Sequence, residues 1–294
     1  MNLFLVIDNL ITLTSDAAVW FGRIINPYCK IRANRVGCAN LSRTSTGVFA
    51  RIRLFAYLCC NLPENMEILY EDNHIIIVNK SSGEIVQGDK TGDEPLSETL
   101  KRFIKERDAK PGNVFIGVAH RLDRPVSGVV VFAKTSKALA RLNAMFASGD
   151  VHKTYWAVTG GTPAEPEAIL THYITTTERN NKSYASPTPR PGAKEARLTY
   201  RLIASTERYN LLEVNLMTGR KHQIRVQLSS IGCPVKGDLK YGAKRSNPDG
   251  SISLHARRIR FVHPVSKKEI DITAPVPSGD SLWKALEEGA TRSE

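Results

Sequence analysis

His120-Arg121-Leu122-Asp123-Arg124-Pro125-Val126-Ser127-Gly128 runs directly into the apolar stretch Val129-Val130-Val131-Phe132. Short apolar runs rich in β-branched residues read as strands. Val129 to Lys134 is therefore expected to be one strand and Val114 to Ala119 the strand before it. That places the polar string in a turn between two strands, with one carboxylate between two guanidinium groups. Nearby positive charge favours the carboxylate over the acid. Asp123 thus suits a nucleophile or a base beside an anionic substrate better than a general acid.

Working outward, residues 66–294 alternate short strands with a few helices, without regular βαβ spacing. Glu67–Asp72 and His74–Lys80 read as a hairpin, and Pro95–Glu106 as a helix with Leu96, Leu100, Phe103 and Ile104 on one face. Ser136 is placed to cap a helix that buries Leu139, Leu142, Met145 and Phe146. Further strands are expected near Lys153–Val158, Ala168–Thr175, Arg197–Ala204, Leu211–Leu216, Ser253–Val262 and Glu269–Thr273. A helix is read from His222 to Ile231, stopped by Gly232, and a last one near Ser281–Glu288. Asn180–Lys194, rich in Pro, Ser and Asn, reads as an exposed loop. The fold class is α+β, a mixed, mostly antiparallel β-sheet with flanking helices.

The 294 residues carry a formal charge of +12, which points to a polyanionic partner, nucleic acid before membrane. Five cysteines without metal-ligand spacing fit a reducing compartment and no metal site. No apolar run reaches membrane-span length. Residues 1–65 differ in character, with four of the five cysteines and seven Lys/Arg against three Asp/Glu. They read as a poorly ordered extension or an upstream mis-start, with the functional domain at 66–294.

HRLDRPVSG resembles the catalytic motif of RluA-family pseudouridine synthases. Two further strings carry the same resemblance. One is Lys153-Thr154-Tyr155, and the other is Thr218-Gly219-Arg220-Lys221-His222-Gln223-Ile224-Arg225. The likeness extends from about Tyr70 to Pro275. It implies the pseudouridine synthase fold with a central catalytic cleft, and isomerisation of specific uridines in structured RNA, without a cofactor. By resemblance, Asp123 starts glycosidic bond cleavage, Tyr155 packs on the uracil, and Arg225 pairs with Asp123. Arg121 fills the space left by the flipped base. His120, Arg124, Lys153, Gly219, Arg220, His222 and Gln223 are the expected substrate-binding residues.

Three positions depart from the family pattern. Ser81 replaces the proline after Lys80, Val126 stands where threonine is favoured, and Gln227 where histidine is usual. No S4-type RNA-binding pattern is found in residues 1–65. The expected partner is an rRNA or tRNA stem-loop, met by a cytoplasmic monomer with no metal and no membrane attachment. A scaffold that binds RNA without chemistry is the competing reading. Asp123, Tyr155 and Arg225 together argue against it, since a pure binder needs neither the carboxylate nor its partner.

Overall fold

The computed structural model describes residues 66–292, Glu178 excepted; the expected extension over 1–65 lies outside the described residues. Among the described residues, eleven strands and four helices follow in chain order. They are β1 (Glu67–Glu71), β2 (Ile75–Lys80), α1 (Leu96–Arg107), β3 (Gly117–Val118), β4 (Ser127–Ala133), α2 (Ser136–Ser148), β5 (His152–Thr159) and β6 (Glu167–Thr177). Then come β7 (Lys182–Ser186), β8 (Lys194–Ser205), β9 (Asn210–Leu216), α3 (Gln223–Ser230), a 3-10 turn at Leu239–Tyr241, β10 (Leu254–Val262), β11 (Glu269–Thr273) and α4 (Ser281–Arg292).

The strands form one sheet in the order β1-β2-β4-β10-β5-β9-β8-β6-β7, with β3 on β4 and β11 on β10. Among the described residues, every named strand pair is antiparallel except β4 with β10. The sheet is therefore α+β and mostly antiparallel, as read.

The two uninterrupted apolar runs lie at the middle of the β2–β4 pair, where both faces are covered. Ile76, Val78, Val130 and Phe132 join the core under α1, while Ile75, Ile77, Val129 and Val131 face α2. Burial on both sides explains why neither strand alternates with polar residues. Each such side chain contributes about 1.5–3 kcal/mol when fully buried. The face carrying α1 continues through Tyr155, Leu212, Val214 and Ala256 to Ile224 and Leu228 of α3. On the opposite face α4 covers Trp156, Val158 and Leu211.

One row of residues across the sheet decides the site. Gly128 of β4 is opposite Ala256 of β10, and Ala256 is opposite Tyr155 of β5. Strands lie about 4.8 Å apart, so the turn ahead of Gly128 falls roughly two strand spacings from Tyr155. Gly128 has φ +113°, and a Cβ there would lie 2.4 Å from the Ala256 carbonyl oxygen. Only glycine permits this close parallel approach.

Three local expectations are corrected. The Val114–Ala119 strand shrinks to Gly117–Val118, because only these two residues find partners, Ala133 and Phe132 of β4. Thr135, not Ser136, caps α2, its hydroxyl accepting from Ala138 N–H at 3.2 Å. The Asn180–Lys194 segment is not all loop, since β7 pairs with β6 from Tyr173 to Thr177. Its Lys-Ser-Tyr-Ala-Ser sequence lacks an apolar stripe. It is an edge strand that buries two serines, Ser183 and Ser186, instead.

Candidate active site

Asp123 sits in a turn fixed almost wholly through backbone groups. Val126 N–H donates to the Asp123 carbonyl at 3.0 Å, Gly83 N–H to the Arg124 carbonyl at 2.8 Å and Ile252 N–H to the Pro125 carbonyl at 3.1 Å. Leu122 and Val126, on either side, are buried in the core. Beneath the turn, Lys80 is 1 % exposed. Its ammonium donates to the carbonyl oxygens of Ser81 (2.8 Å), Arg124 (3.2 Å) and Val126 (2.7 Å). Burial pushes this lysine down to about 8, against the opposing pull of Glu84 and Asp123. With the backbone so held, the Asp123 carboxylate projects partly exposed.

Arg225 meets it from α3, 102 residues later: Nη1 donates to Asp123 Oδ2 at 2.9 Å. The rest of the guanidinium is clamped by Asp238, which is 1 % exposed, through Nε to Oδ2 at 2.6 Å and Nη2 to Oδ1 at 2.9 Å. Such a two-bond grip fixes the plane of the guanidinium as well as its position. Burial opposes the charge on Arg225, but Asp238, and then Asp123, outweigh it and raise its pKa. Tyr241 lies under the same group, ring centroid 5.0 Å from the Arg225 Cζ.

His222 also reaches Asp123, with Nε2 3.6 Å from Oδ2. The other carboxylate oxygen, Oδ1, has no hydrogen bond among the described residues. Tyr155 is 8 % exposed; burial, and then the negative charge of Asp123, push its phenol pKa up. Its hydroxyl has no hydrogen-bond partner among the described residues.

The other residues singled out in the sequence divide into two groups. Lys153, on the strand of Tyr155, approaches the Thr-Gly-Arg turn, and a methyl group built on Gly219 would be 3.8 Å from its ammonium. Burial pushes Lys153 down. It has no carboxylate partner among the described residues, and the Phe146 ring lies 5.5 Å from its nitrogen. Arg121 is exposed and likewise unpaired among the described residues. These two cations are open to a polyanion.

The second group is occupied with the protein itself. His120 stacks on Phe146 at 4.6 Å, and its Nε2 accepts from Val131 N–H at 3.0 Å. Burial pushes it down to about 3, so the ring is neutral. Arg124 turns to Asp93 and to the Thr91 hydroxyl. Arg220 donates from Nε to the Glu195 carbonyl at 3.0 Å. Gln223, 3 % exposed, closes the turn: its Oε1 accepts from the Thr218 hydroxyl and Arg220 N–H, and its Nε2 donates to the Arg197 carbonyl.

This geometry can be set beside known proteins. The family model described as RNA pseudouridylate synthase matches residues 74–230. That span holds Asp123, Tyr155 and Arg225, and it covers more than half of the chain. The chain belongs to the RNA pseudouridylate synthase family. It is 32% identical over 249 residues to ribosomal large subunit pseudouridine synthase D of Xanthomonas campestris pv. campestris, covering 78% of this chain and 71% of that protein. It is 32% identical over 245 residues to tRNA pseudouridine synthase C of Vibrio parahaemolyticus, covering 76% and 94%. The fold matches the solved structure of human RNA pseudouridylate synthase domain containing 4, with a TM-score of 0.63 at 22% identity over 82% of this chain and 98% of that one.

The synthase isomerises uridine to pseudouridine in RNA. Among the described residues no helix is long and apolar enough to cross a membrane, and no group of three or more His, Cys, Asp or Glu is placed to hold a metal. The sequence reading gave no role to Lys80, which it named only for the residue after it, and passed over Asp238 and Tyr241. The available signal for the last two was Gly237-Asp238-Leu239-Lys240-Tyr241-Gly242, whose bracketing glycines both have positive φ. Read alone, an aspartate after glycine is an ordinary turn residue.

Proposed function

We propose that Asp123 is the carboxylate that initiates the isomerisation, with Arg225 holding it and Tyr155 beside the target base. In the reaction the C1′–N1 bond breaks, the uracil turns, and a C1′–C5 bond forms as the C5 hydrogen leaves and N1 gains a proton. No electrons are exchanged with an outside partner, so the chemistry calls for no cofactor. A base inside a helix is out of reach, so the target nucleotide must leave the stack. Arg121, exposed and unpaired, is suited to the vacated space because guanidinium planes stack on bases. Lys153 and the Gly219–Arg220 turn are suited to the flanking phosphates. Residues 66–294 form the catalytic domain in this reading.

The observation that carries the proposal is the 2.9 Å bond between Arg225 Nη1 and Asp123 Oδ2. A pure RNA binder has no use for a partly exposed carboxylate held in place by a buried arginine. The two relatives described above are named for ribosomal large subunit RNA and for tRNA. The proposed substrate is accordingly an rRNA or tRNA stem-loop, met by a cytoplasmic monomer.

The test uses RNA tritiated at uridine C5, in ribosomal and transfer transcripts. The protein is expected to release tritium from one of them, and Asp123→Asn to abolish release while RNA affinity stays within about threefold. Near wild-type turnover by Asp123→Asn would overturn the assignment.

A further inference from the structure

We infer that Tyr241 and His222 form a positioning relay, fixed by the backbone of Ser183, that commits Asp123 Oδ2 to two donors and leaves Oδ1 as the reacting oxygen. The inference rests on the reading of Asp123 as the initiating carboxylate.

The relay begins at the edge of the sheet. Ser183 N–H, on β7, donates to the Tyr241 hydroxyl oxygen at 2.8 Å. That leaves the tyrosine its own proton to place, and Tyr241 is 4 % exposed. His222 Nδ1 lies 2.8 Å away, with the two rings edge to face at 5.6 Å, while the Ser183 hydroxyl, also beside the tyrosine, already donates to the Lys221 carbonyl at 2.7 Å. If the hydroxyl donates to Nδ1, the neutral imidazole carries its hydrogen on Nε2. Nε2 is the atom 3.6 Å from Asp123 Oδ2.

The opposite tautomer fails at the carboxylate. Nδ1–H would turn the tyrosine proton toward the Ser183 hydroxyl instead. At the other end, a lone pair on Nε2 would face a carboxylate. Repulsion between that lone pair and the negative charge favours the Nε2–H form. The ring stays neutral because burial pushes His222 down to about 4. Of the charged groups around it, Asp123 pulls the other way, while Arg225, Lys240 and Lys221 reinforce the burial.

The backbone agrees. His222 stands at the start of α3 with φ 54° and ψ 24°, a left-handed conformation that is strained for a residue with a side chain. Glycine or asparagine would occupy it more cheaply. What the imidazole gains here is its pair of contacts, to Tyr241 and to Asp123. At 3.6 Å the second is a dipole–charge contact; about half an ångström of closure makes it a hydrogen bond, the kind of tightening that accompanies substrate binding. Oδ2 is then shared between Arg225 and His222, and Oδ1 alone is free to react.

The experiment is ¹⁵N NMR of histidine-labelled protein, with His222 assigned by difference against His222→Asn. The wild type is expected to show His222 as the neutral Nε2–H tautomer from pH 6 to 8. Tyr241→Phe keeps the ring and loses only the hydroxyl. It should shift His222 toward a tautomer mixture, lower kcat about threefold to tenfold, as for the loss of one hydrogen bond, and leave KM for RNA unchanged. The acid limb of kcat should move to higher pH.

An Nδ1–H or charged His222 in the wild type overturns the inference, and that measurement needs no variant to fold. So does Tyr241→Phe with wild-type kcat and acid limb. Failure of the underlying reading is distinguishable, because it appears as turnover by Asp123→Asn.

Discussion

Asp238→Asn isolates the clamp behind the candidate active site. The substitution keeps the shape and removes the charge. It also turns one of the two oxygens gripping Arg225 into an amide that presents hydrogens to a guanidinium. Both partners are nearly inaccessible to solvent, with side chains 1% and 7% exposed. Stripping one member from a buried ion pair costs about 3–5 kcal/mol, because the remaining charge stays buried. At about 2–4 °C per kcal/mol for a domain of this size, Tm should fall by roughly 6–20 °C.

Activity should fall for a separate reason. With Asp238 neutral, Asp123 is the remaining carboxylate bonded to Arg225, and the guanidinium is no longer held in the plane that aims Nη1 at Oδ2. Losing that charge-assisted bond, worth about 1.5–3 kcal/mol, lowers kcat by roughly tenfold to a hundredfold. Tritium release under single-turnover conditions reads the rate, and calorimetry reads Tm. A double variant separates the two effects. Asp238→Leu with Arg225→Met removes both charges and should regain most of the lost stability, since apolar replacements of a buried pair are often neutral. It should regain none of the activity. An Asp238→Asn protein within twofold of wild-type kcat and within 2 °C of its Tm would refute this reasoning.

Two other outcomes are expected. Activity should decline as pH rises through about 8, the value to which burial lowers Lys80, because a neutral amine has two hydrogens for three carbonyl oxygens beneath the Asp123 turn. The sign for stability is opposite: the folded value lies below the ordinary 10.5, so the unfolded chain holds this proton more tightly, and the stability contribution of this group rises between about pH 8 and 10.5. An alkaline limb in kcat without a parallel loss from this lysine in urea titrations at pH 7 and 9 checks it, and flat activity to pH 9.5 contradicts it. Gly128→Ala should destabilise by more than about 2 kcal/mol in urea, since its methyl group must displace the Ala256 backbone and the left-handed φ is strained as well; a change under 0.5 kcal/mol would show that the β4–β10 junction yields.

Much of the chain was legible locally. The apolar runs at Ile75–Val78 and Val129–Phe132 read as strands because their residues are β-branched and need cover on both faces. The 3.6-residue spacing of Leu96, Leu100, Phe103 and Ile104 gave α1, whose buried side matches. The β7 strand was hidden because it buries serines rather than aliphatic side chains. His120 looked like a cleft residue from its place in the motif; its ring instead stacks on Phe146 of α2 and caps a backbone N–H of β4.

What the sequence by itself determined is what depends on neighbours in the chain: strand and helix periods, the turn carrying Asp123, and the strings that mark an RNA uridine isomerase. The resemblance implied the pairing of Arg225 with Asp123, and the tertiary structure alone decided that Asp238 grips the same guanidinium. Asp123, Arg225 and Asp238 come from a turn, a helix and a loop, and nothing in their local sequence specifies that one guanidinium bridges two carboxylates. Nor does it specify that Tyr241, held by an edge strand, sets the proton on His222. Those contacts act over a few ångströms between residues far apart in sequence, so they exist only once the core beneath them has packed.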